Sequence, residues 1–446
     1  VMKVSIVGTG YVGLVTGACF AEVGHDVVCV DVDRAKVDKI NRGEAPIHEA
    51  GLAALLQRHV NRRLRATTDF GRAVQGSDAT FIAVGTPFDG ERIDLRYVRQ
   101  AARDIGIALR DKREYHVVAV KSTVVPGTTD DVVRPILEEA SDRSAGKDFG
   151  VAMNPEFLTE GVAISDCMEP DRIVIGGIDD RTVDVLSRLY ATFRDVPVIR
   201  TNNKTAEMIK YTSNAVLATL ISFSNEIGNL CARVGGVDMA DVMHGVHSAR
   251  YFTSPQEDGT SVVAPITSFL YAGCGFGGSC LPKDVMALVA FGEAAGQPMP
   301  LLDTVIKINL KQPQKIIEIL ERNFSSLDGR KVCILGLAFK PDTSDVRESP
   351  AIPIARELIA RGAVVSAFDP VAIDSAKAVL QTGHIRFVDN LEAALRDVDA
   401  AVLVTSWDVF RQLPEMTRRM NPAPLIVDGR RMLDKHQFAR YAGIGM

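Results

Sequence analysis

The sequence predicts an α/β protein in which two doubly wound, mostly parallel sheet domains are joined by an all-helical central domain with a long helix. Short runs of β-branched residues alternate with helix-length amphipathic stretches up to about residue 202, which is typical of a parallel sheet covered on both faces. A helical pattern then runs unbroken from about 205 to 234, or about 45 Å at 1.5 Å per residue. A second alternating block starts at Lys331. We therefore expect domains at residues 1–203, 204–325 and 326–446.

The individual elements follow from the spacing of the apolar residues. The expected strands of the first block are Val4–Val7, Val27–Val30, Thr80–Val84, Val117–Val120, Val151–Met153 and Ile173–Ile175, and its clearest helices are Leu14–Val23, Val98–Leu109 and Thr128–Ala140. The middle is expected to contain helices Asp238–Val246, Val285–Ala295 and Leu301–Glu321, with a loop at Tyr251–Gly278. The expected strands of the second block are Val332–Leu335, Val364–Phe368, Ala401–Val404 and Leu425–Val427.

The composition excludes several classes of protein. The net charge of the 446 residues is −5, from 51 basic and 56 acidic side chains, and no basic run supplies the positive surface that a nucleic acid requires. The seven cysteines form neither a CxxC pair nor an even framework, which is typical of free thiols in a reducing compartment. No apolar run approaches the roughly 18 residues that cross a bilayer. We expect a soluble, cytoplasmic protein with no nucleic-acid or membrane partner.

A glycine-rich loop, GTGYVG at 8–13, follows the first expected strand and leads into the first helix. Its first two glycines permit a tight turn close to a pyrophosphate, and the third lets helix and strand pack closely. Asp31 ends the second strand 18 residues after Gly13, where a carboxylate can accept hydrogen bonds from both ribose hydroxyls. The set predicts a Rossmann-like dinucleotide site. Because a carboxylate repels a 2′-phosphate, Asp31 favours NAD over NADP, and the nearby Arg34 weakens this preference.

The segment GFGGSCLPKD at 275–284 is the most informative for chemistry. Its three glycines let an exposed backbone approach a ligand. Pro282 occupies a position typical of a helix start, which places Cys280 at or just before a helix N-terminus. That position lowers the pKa of a thiol and favours the nucleophilic thiolate. Three cysteines in apolar segments are instead interpreted as buried side chains: Cys19, Cys29 and Cys333.

For other polar residues, the sequence does not distinguish a functional role from an ordinary structural one. Lys210 and Asn214 share one face of the long helix, but a lysine among apolar neighbours can simply extend its amine to solvent. The loop at 154–161 contains two carboxylates, which a solvated loop explains as well as catalysis does. His244 and His247 have no third metal ligand nearby in the sequence, so no metal site is predicted.

Seven motifs, in order along nearly the whole chain, resemble those of the nucleotide-sugar 6-dehydrogenases of the UDP-glucose/GDP-mannose dehydrogenase family. As an ordered set they are very specific. They are GTGYVG at 8–13, GTP at 85–87, KSTVVPGT at 121–128, NPEFLTEG at 154–161, AEMIKYTSNA at 206–215, GFGGSCLPKD at 275–284 and GLAFKPDTSDVRESP at 336–350.

The resemblance implies an NAD-dependent, four-electron oxidation of the C6 alcohol of a nucleotide sugar to a carboxylate, such as UDP-glucose to UDP-glucuronate. It implies that Cys280 adds to the aldehyde as a thiohemiacetal, becomes a thioester and is released by water. A thiolate makes such an aldehyde a hydride donor without prior hydration. Lys210 and Asn214 would stabilise the oxyanion, which is worth a few kcal/mol beside a developing alkoxide.

The same resemblance assigns further residues. Asp284 would help to activate water, while Glu160 and Thr123 would take part in proton transfer. Contacts to NAD are expected for Gly8, Gly10, Tyr11, Val12, Gly13, Asp31, Arg34, Thr86, Thr123, Glu160, Lys283 and Arg347. Contacts to the nucleotide sugar are expected for Glu156, Phe157, Leu158, Lys210, Asn214, Phe276, Gly277, Lys340 and Arg430 or Arg431.

Two features depart from the family pattern. Where members usually carry Arg-Ile-Gly ahead of the cysteine, this chain has Ala264-Pro-Ile, and residues 251–263 resemble an insertion. We interpret Arg250 as a replacement for that arginine, which in the family reaches the substrate of the partner subunit. Thr159 also stands where many relatives carry a charged or small residue. Both changes concern substrate recognition, so UDP-glucose, GDP-mannose, a TDP-sugar and an N-acetylated UDP-sugar stay open as substrates.

Two other functions also stay open. A two-electron hydroxyacid dehydrogenase would use Lys210 as its base and leave Cys280 as a bystander. An NAD-binding sensor or scaffold would keep the motifs without the chemistry, although the complete motif set disfavours it. The family is commonly dimeric through its central helices, and the long helix at about 205–234 favours a homodimer.

Overall fold

The computed structural model describes residues 1–256, 260–380 and 383–446 of the chain. These residues form two units, Val1–Ser213 and Asn214–Met446. Each unit is built on one large, mainly parallel sheet, and the region after the first sheet is helical. The fold class predicted from the sequence is therefore confirmed.

The sheet of the first unit has eight strands. They are β1 (Lys3–Val7), β2 (Asp26–Val30), β3 (Leu64–Thr67), β4 (Ala79–Ile82), β5 (His116–Val120), β6 (Phe149–Met153), β7 (Ile173–Gly177) and β8 (Val198–Thr201). Their order is β3-β2-β1-β4-β5-β6-β7-β8, and all neighbours are parallel except β6 and β7. The sequence analysis missed β3 and β8, because each edge strand is four residues long and includes an exposed arginine, which weakens the apolar pattern.

Helices cover both faces of this sheet. They are α1 (Tyr11–Glu22), α2 (Arg34–Asn41), α3 (Leu52–His59), α4 (Phe70–Gln75), α5 (Arg96–Leu109), α6 (Arg134–Ser141), α7 (Ala163–Met168) and α8 (Asp180–Leu189). Val4 and Ile6 of β1 belong to one apolar core, whereas Val7 at the end of the same strand belongs to the other. The predicted helix at 128–140 begins as a π-helix, Thr128–Val133, and continues as α6.

The long helix predicted near residue 205 is α9, Asn203–Val234, with 32 residues. It begins in the first unit and ends in the second. Among the residues that the structure describes, α9 is the one helix whose length and composition would allow a membrane crossing, with a mean hydropathy of 1.2 over its most apolar window. Core helices of soluble proteins have the same length and apolar composition.

The described residues of the second unit also contain eight strands. They are β9 (Thr253–Pro255), β10 (Ser261–Val263), β11 (Lys331–Leu335), β12 (Val364–Phe368), β13 (Ile385–Phe387), β14 (Ala400–Leu403), β15 (Leu425–Asp428) and β16 (Tyr441–Gly443). Six of them form an all-parallel sheet in the order β13-β12-β11-β14-β15-β16. The helices of this unit are α10 (Met239–His247), α11 (Leu281–Ala294), α12 (Pro300–Asn323), α13 (Ala351–Ala360), α14 (Ile373–Leu380), α15 (Leu391–Leu395) and α16 (Leu413–Arg418).

The segment that the sequence analysis interpreted as a loop, 251–278, contains regular structure. β9 and β10 pair as an antiparallel ribbon, and a 3₁₀ helix follows at Pro265–Phe269. Residues 257–259 of the predicted insertion lie outside the described residues. The three-residue strands are too short to leave a periodic pattern in the sequence.

A buried carboxylate ties the start of α9 to the turn after β5. Glu207 is fully buried, and it accepts hydrogen bonds from the backbone N–H groups of Gly127 (2.6 Å) and Thr129 (2.8 Å) and from the Thr129 hydroxyl (2.7 Å). Burial raises the pKa of Glu207 to about 7, because these donors offset only part of the cost of removing the charge from water.

The raised pKa of Glu207 predicts a pH-dependent contribution to stability. The folded state holds the Glu207 proton more tightly than the unfolded chain, so the stabilisation is present below about pH 4.5 and is lost as the pH rises through about 7. Relative to a Glu207→Gln variant, the wild type should lose up to about 3 kcal/mol of unfolding free energy over that range. Urea denaturation from pH 4.5 to 8 measures this, with the exposed Glu139→Gln as control. Parallel pH profiles for the wild type and Glu207→Gln would contradict the prediction.

Candidate active site

The loop after β1 has the backbone that a dinucleotide requires. Gly8 has φ +99°, and a Cβ there would lie 2.5 Å from the Ala83 carbonyl oxygen. A Cβ on Gly13 would lie 2.0 Å from the Gly8 carbonyl oxygen, so only glycine lets α1 pack this closely on the loop. Gly10, in contrast, has no atom within 4 Å of its Cβ position, which leaves open space at the N-terminus of α1. The three glycines thus form a cradle that fits a pyrophosphate.

Asp31 stands beside this cradle. Its Oδ2 accepts from the Thr9 N–H at 2.9 Å and from the Thr9 hydroxyl, and its Oδ1 accepts from the Asp33 N–H at 2.9 Å. Burial raises the pKa of Asp31, but these hydrogen bonds outweigh burial and bring it below its ordinary value, so the group is ionised. Asp31 lines a cavity of about 340 Å³ together with Gly10, Lys36 and Tyr97. An ionised carboxylate in a cavity next to the glycine cradle fits an unphosphorylated ribose.

Arg34 and Thr86, both expected to contact NAD, have different surroundings. The Arg34 side chain is 78% exposed and pairs with Asp38 at 3.4 Å, and Lys36 lines the cavity instead. Thr86 is buried, and its hydroxyl donates to the Thr123 carbonyl oxygen at 2.8 Å. The loops after β4 and β5, which contain Thr86 and Thr123, are therefore joined by a hydrogen bond. This bond fixes the backbone of Thr123.

Lys210 of α9 forms a buried ion pair with Glu156, at 3.0 Å. Their side chains are 5% and 7% exposed. Burial raises the pKa of Glu156, but the Lys210 charge, the hydrogen bonds from Leu158 and Lys210 and the Lys121 charge together outweigh burial and hold it below its ordinary value. Glu156 Oε2 also accepts from the Leu158 N–H at 2.7 Å, which folds the loop back on itself. Glu156 is thus a carboxylate that pairs with Lys210, and the proton-transfer role of Glu160 stays a prediction.

Phe157, a further residue of the same motif, lies next to this pair. The Phe157 ring has the Arg172 guanidinium 3.9 Å and the Lys210 amine 5.6 Å from its centre. Such contacts favour cations over the ring face. Phe157 therefore helps to hold Lys210 close to Glu156.

The sequence analysis missed the buried Lys121. Its amine donates to Asn154 Oδ1 at 3.0 Å, and burial lowers the pKa of Lys121 to about 8. Its position after a strand could have identified it. Lys121 directly follows β5, and ligands bind at the carboxyl ends of parallel strands.

A second missed residue is Glu49, in the irregular segment between α2 and α3. The Tyr11 hydroxyl donates to Glu49, and so do the backbone N–H groups of Gly161 and Ala163, each at 2.7 Å. Burial and the neighbouring Glu49 raise the pKa of Tyr11 above its ordinary value. No sequence spacing could have indicated Glu49, since its partners come from distant segments.

In the second unit, Cys280 is the N-cap residue of α11, as predicted. All seven cysteines lie within the described ranges, and Cys280 is the one that is exposed. Pro282 is the second helical residue, and the Asp284 N–H donates to the Cys280 carbonyl oxygen at 2.8 Å. The N-terminus of a helix stabilises a thiolate and makes it a better nucleophile at neutral pH. The three cysteines predicted to be inert, Cys19, Cys29 and Cys333, are buried.

Asp284 is 1% exposed and accepts two hydrogen bonds, from Asn214 Nδ2 at 2.6 Å and from the Lys283 amine at 2.5 Å. These contacts place Asn214, Lys283 and Asp284 in one group at the first turn of α11. An ionised carboxylate one turn after the cysteine can accept a proton from a water molecule.

The glycine loop that leads to Cys280 is held from several sides. Asn309 of α12 accepts from the Phe276 N–H at 2.8 Å and donates to the Phe276 carbonyl oxygen at 2.9 Å. A Cβ on Gly277 would lie 2.1 Å from the Glu348 carbonyl oxygen, and one on Gly278 would lie 2.7 Å from the Phe339 ring. The loop is therefore packed tightly on the 336–350 motif, and the sequence analysis missed the role of Asn309 in this arrangement.

The basic residues expected at the nucleotide sugar, together with Arg347, which is expected at NAD, differ in their contacts. Arg430 donates to the carbonyl oxygens of Val404 (2.6 Å) and Gly275 (3.0 Å), so it supports the glycine loop. Arg431 forms an ion pair with Asp238. The remaining three are distributed as follows: Arg347 is paired with Asp345, the Lys340 amine lies 5.9 Å from the centre of the Phe339 ring, and Arg250 is exposed.

A dinucleotide cradle with an ionised acid, a buried lysine–carboxylate pair and an exposed cysteine at a helix N-terminus define a class of protein. That class is the nicotinamide-dependent dehydrogenases. None of the described residues forms a cluster of histidine, cysteine and carboxylate groups that could hold a metal ion.

Comparison with known proteins identifies the particular family. Three regions match the UDP-glucose/GDP-mannose dehydrogenase family: its NAD binding domain at 2–194, its central domain at 204–311 and its UDP binding domain at 333–435. This chain belongs to that family, so it is an NAD-dependent nucleotide-sugar dehydrogenase.

Individual relatives agree with this assignment. UDP-glucose 6-dehydrogenase AglM of Haloferax volcanii is 42% identical, over 99% of this chain and all of the relative. GDP-mannose 6-dehydrogenase of Pseudomonas putida is 44% identical over 82% of this chain and 81% of its own. The structure of a UDP-glucose dehydrogenase from Pyrobaculum islandicum matches with a TM-score of 0.90 and 39% identity, covering 100% of this chain and 98% of that one.

The exposure of Cys280 predicts which thiol reacts first. Iodoacetamide should alkylate Cys280 before any other cysteine, because the others are buried or half-buried and Cys280 alone caps a helix. Peptide mass spectrometry after brief labelling measures this, and a Cys280→Ser variant should lose the fast-reacting site. Faster labelling of the half-buried Cys167 would contradict the prediction.

Proposed function

We propose that this chain oxidises the C6 alcohol of UDP-glucose to the carboxylate of UDP-glucuronate, with two NAD consumed in succession. The observation that carries the proposal is the exposed Cys280 at the N-terminus of α11, with Asp284 one turn later. A two-electron dehydrogenase has no need of such a nucleophile. The names of the relatives from Haloferax volcanii and Pyrobaculum islandicum support UDP-glucose as the substrate.

In this proposal, the Cys280 thiolate attacks the aldehyde carbon and forms a thiohemiacetal. Bound NAD supplies the hydride acceptor for each of the two oxidations. Water then hydrolyses the resulting thioester, and Asp284 accepts a proton from that water as the carboxylate product and the free thiol form. Asn214, which donates to Asp284 at 2.6 Å, orients this carboxylate and stabilises the oxyanion.

The buried pair of Lys210 and Glu156 supplies the cation for the developing oxyanion. Because water is excluded from the pair, the Lys210 charge is screened less than at the surface and stabilises a nearby alkoxide more strongly. Glu156 lies 3.0 Å from the Lys210 amine, so it offsets the Lys210 charge inside the protein and can exchange a proton with it. Thr123 and Glu160 keep the proton-transfer roles that the resemblance implies.

GDP-mannose is the second candidate substrate, because the Pseudomonas putida relative is a GDP-mannose 6-dehydrogenase at similar identity. Either nucleotide would be held by the second sheet, with Phe276, Gly277, Lys340 and Arg430 as contacts. We also retain the division into a cofactor domain (1–203), a central domain (204–325) and a nucleotide-sugar domain (326–446), and a cytoplasmic location.

We further propose a homodimer formed through the central helices. Val216, Phe223 and Leu230 of α9 are each about half exposed and recur every seven residues, which places them on one face of the helix. Leu310 of α12 is 70% exposed. A row of exposed apolar side chains at this spacing is typical of a helix that packs against another chain.

The proposed chemistry predicts the stoichiometry of the reaction. Among UDP-glucose, GDP-mannose, TDP-glucose and UDP-N-acetylglucosamine at fixed NAD, UDP-glucose should react fastest and yield two NADH per sugar. Cys280→Ser should form no uronate, because hydrolysis requires the thioester, whereas the matched Cys167→Ser should keep its activity. Absorbance at the NADH band and chromatography of the sugar nucleotide measure both. One NADH per sugar would eliminate the thioester mechanism.

The proposed dimer predicts the effect of a single charge. Phe223→Glu should convert the dimer to a monomer, because the carboxylate would be buried without a partner in the interface. Light scattering after size-exclusion chromatography at equal concentrations measures the change. Val364→Glu, at an exposed apolar position on β12, should remain dimeric. A monomeric wild type would show that the homodimer proposal is wrong.

A further inference from the structure

Glu49 is a buried carboxylate outside all seven motifs. It lies between α2 and α3 and is 7% exposed. Its Oε2 accepts from the Tyr11 hydroxyl and from the Gly161 N–H at 2.7 Å, and its Oε1 accepts from the Ala163 N–H at 2.7 Å. The Gly161 nitrogen also lies 3.2 Å from the Tyr11 hydroxyl oxygen, so Glu49, Tyr11 and Gly161 each contact the other two.

The donors to Glu49 come from two segments with different tasks. Tyr11 is the first residue of α1 and follows the glycine cradle directly. Gly161 is the last residue of the 154–161 motif, whose Glu156 pairs with Lys210, and Ala163 lies two residues further on. Gly161 has φ +89°, a conformation that side chains rarely adopt, and its N–H is directed at Glu49. Glu49 therefore joins the cofactor cradle to the loop that holds the lysine–carboxylate pair.

The cluster needs an acceptor and not merely a side chain of the right size. An apolar residue at position 49 would remove the carboxylate acceptor of two backbone N–H groups and one hydroxyl in a buried place. A carboxylate offers enough lone pairs for all three, and hydrogen bonds to an ionised acceptor are the stronger kind. No lysine or arginine in the described part of the chain forms an ion pair with Glu49, so these donors alone offset the cost of its burial.

We propose that Glu49 is a positioning residue for the cofactor, which holds the N-terminus of α1 and residues 160–163 in one arrangement so that both segments act on the same bound NAD. Glu49 acts through Tyr11 and Gly161. The proposal rests on the NAD dependence of the family and not on the identity of the sugar.

A double-mutant cycle on cofactor affinity tests the proposal. Glu49→Gln in the full-length protein should weaken NADH binding about tenfold, and Tyr11→Phe about threefold, since each loses hydrogen bonds to a charged group. The double variant should bind no more weakly than Glu49→Gln alone, because the Tyr11 hydroxyl acts through Glu49. Fluorescence titration with NADH measures all four proteins. Since the titration contains no sugar, its result is independent of the substrate assignment.

Two further measurements separate positioning from a merely structural role. In both single variants the KM for NAD should rise, while the KM for UDP-glucose and the rate of Cys280 alkylation should stay within about twofold of the wild type. The matched control is Glu44→Gln, five residues away in the same segment, where the carboxylate is exposed and paired with Arg42. This control should bind NADH normally.

Three results would overturn the proposal. Additive effects of Glu49→Gln and Tyr11→Phe would show that the hydroxyl contacts NAD independently of Glu49. A lower midpoint of thermal unfolding in Glu49→Gln with unchanged NADH affinity would show a structural role only. An equal rise in KM for NAD and for UDP-glucose would show a general loss of active-site order.

Discussion

Helices cover the central strands of the first sheet on both faces, so the groups that serve the cofactor lie in loops at the carboxyl ends of its parallel strands. In the first unit, β1 leads into the glycine cradle, β2 into Asp31 and β5 into Lys121. The central strands β1, β4, β5 and β6 are almost wholly buried, and they leave no room for a ligand. This constraint explains why motifs separated by tens of residues in the sequence serve one cofactor site.

The two sheets use an acid after their second strand in opposite ways. Asp31 in the first unit borders an open cavity. Asp369, which follows β12 in the second, is 1% exposed and accepts from four backbone N–H groups and from the indole N–H of Trp407. Because its own unit supplies all of these donors, Asp369 stabilises the fold and has no lone pair left to accept a hydrogen bond from a ribose hydroxyl. The same topology therefore places a ligand-binding acid in one unit and a buried, structural hydrogen-bond acceptor in the other.

Buried carboxyl groups in the first unit are held by donors and partners that the fold supplies at fixed positions. Glu156 has Lys210, whereas Glu207 and Glu49 have only N–H and O–H donors. Each arrangement costs desolvation free energy, which is recovered only if every hydrogen bond is made. Such groups specify the conformation of the loops that they bind more than they add to stability. The cradle, the turn after β5 and the 154–161 loop are each fixed by one of them.

What could be predicted from the sequence was local in origin. The glycine cradle, Asp31 and the position of Cys280 at a helix N-terminus depend on backbone conformation within a few residues, which glycine, proline and apolar spacing report directly. The spacing of residues in the sequence did not show which side chains pair with each other. Lys210 pairs with Glu156, and Glu49 contacts Gly161, 112 residues away, because packing brings these separate segments together. A buried acceptor is selected by the donors around it, and those donors are known only once the chain has folded.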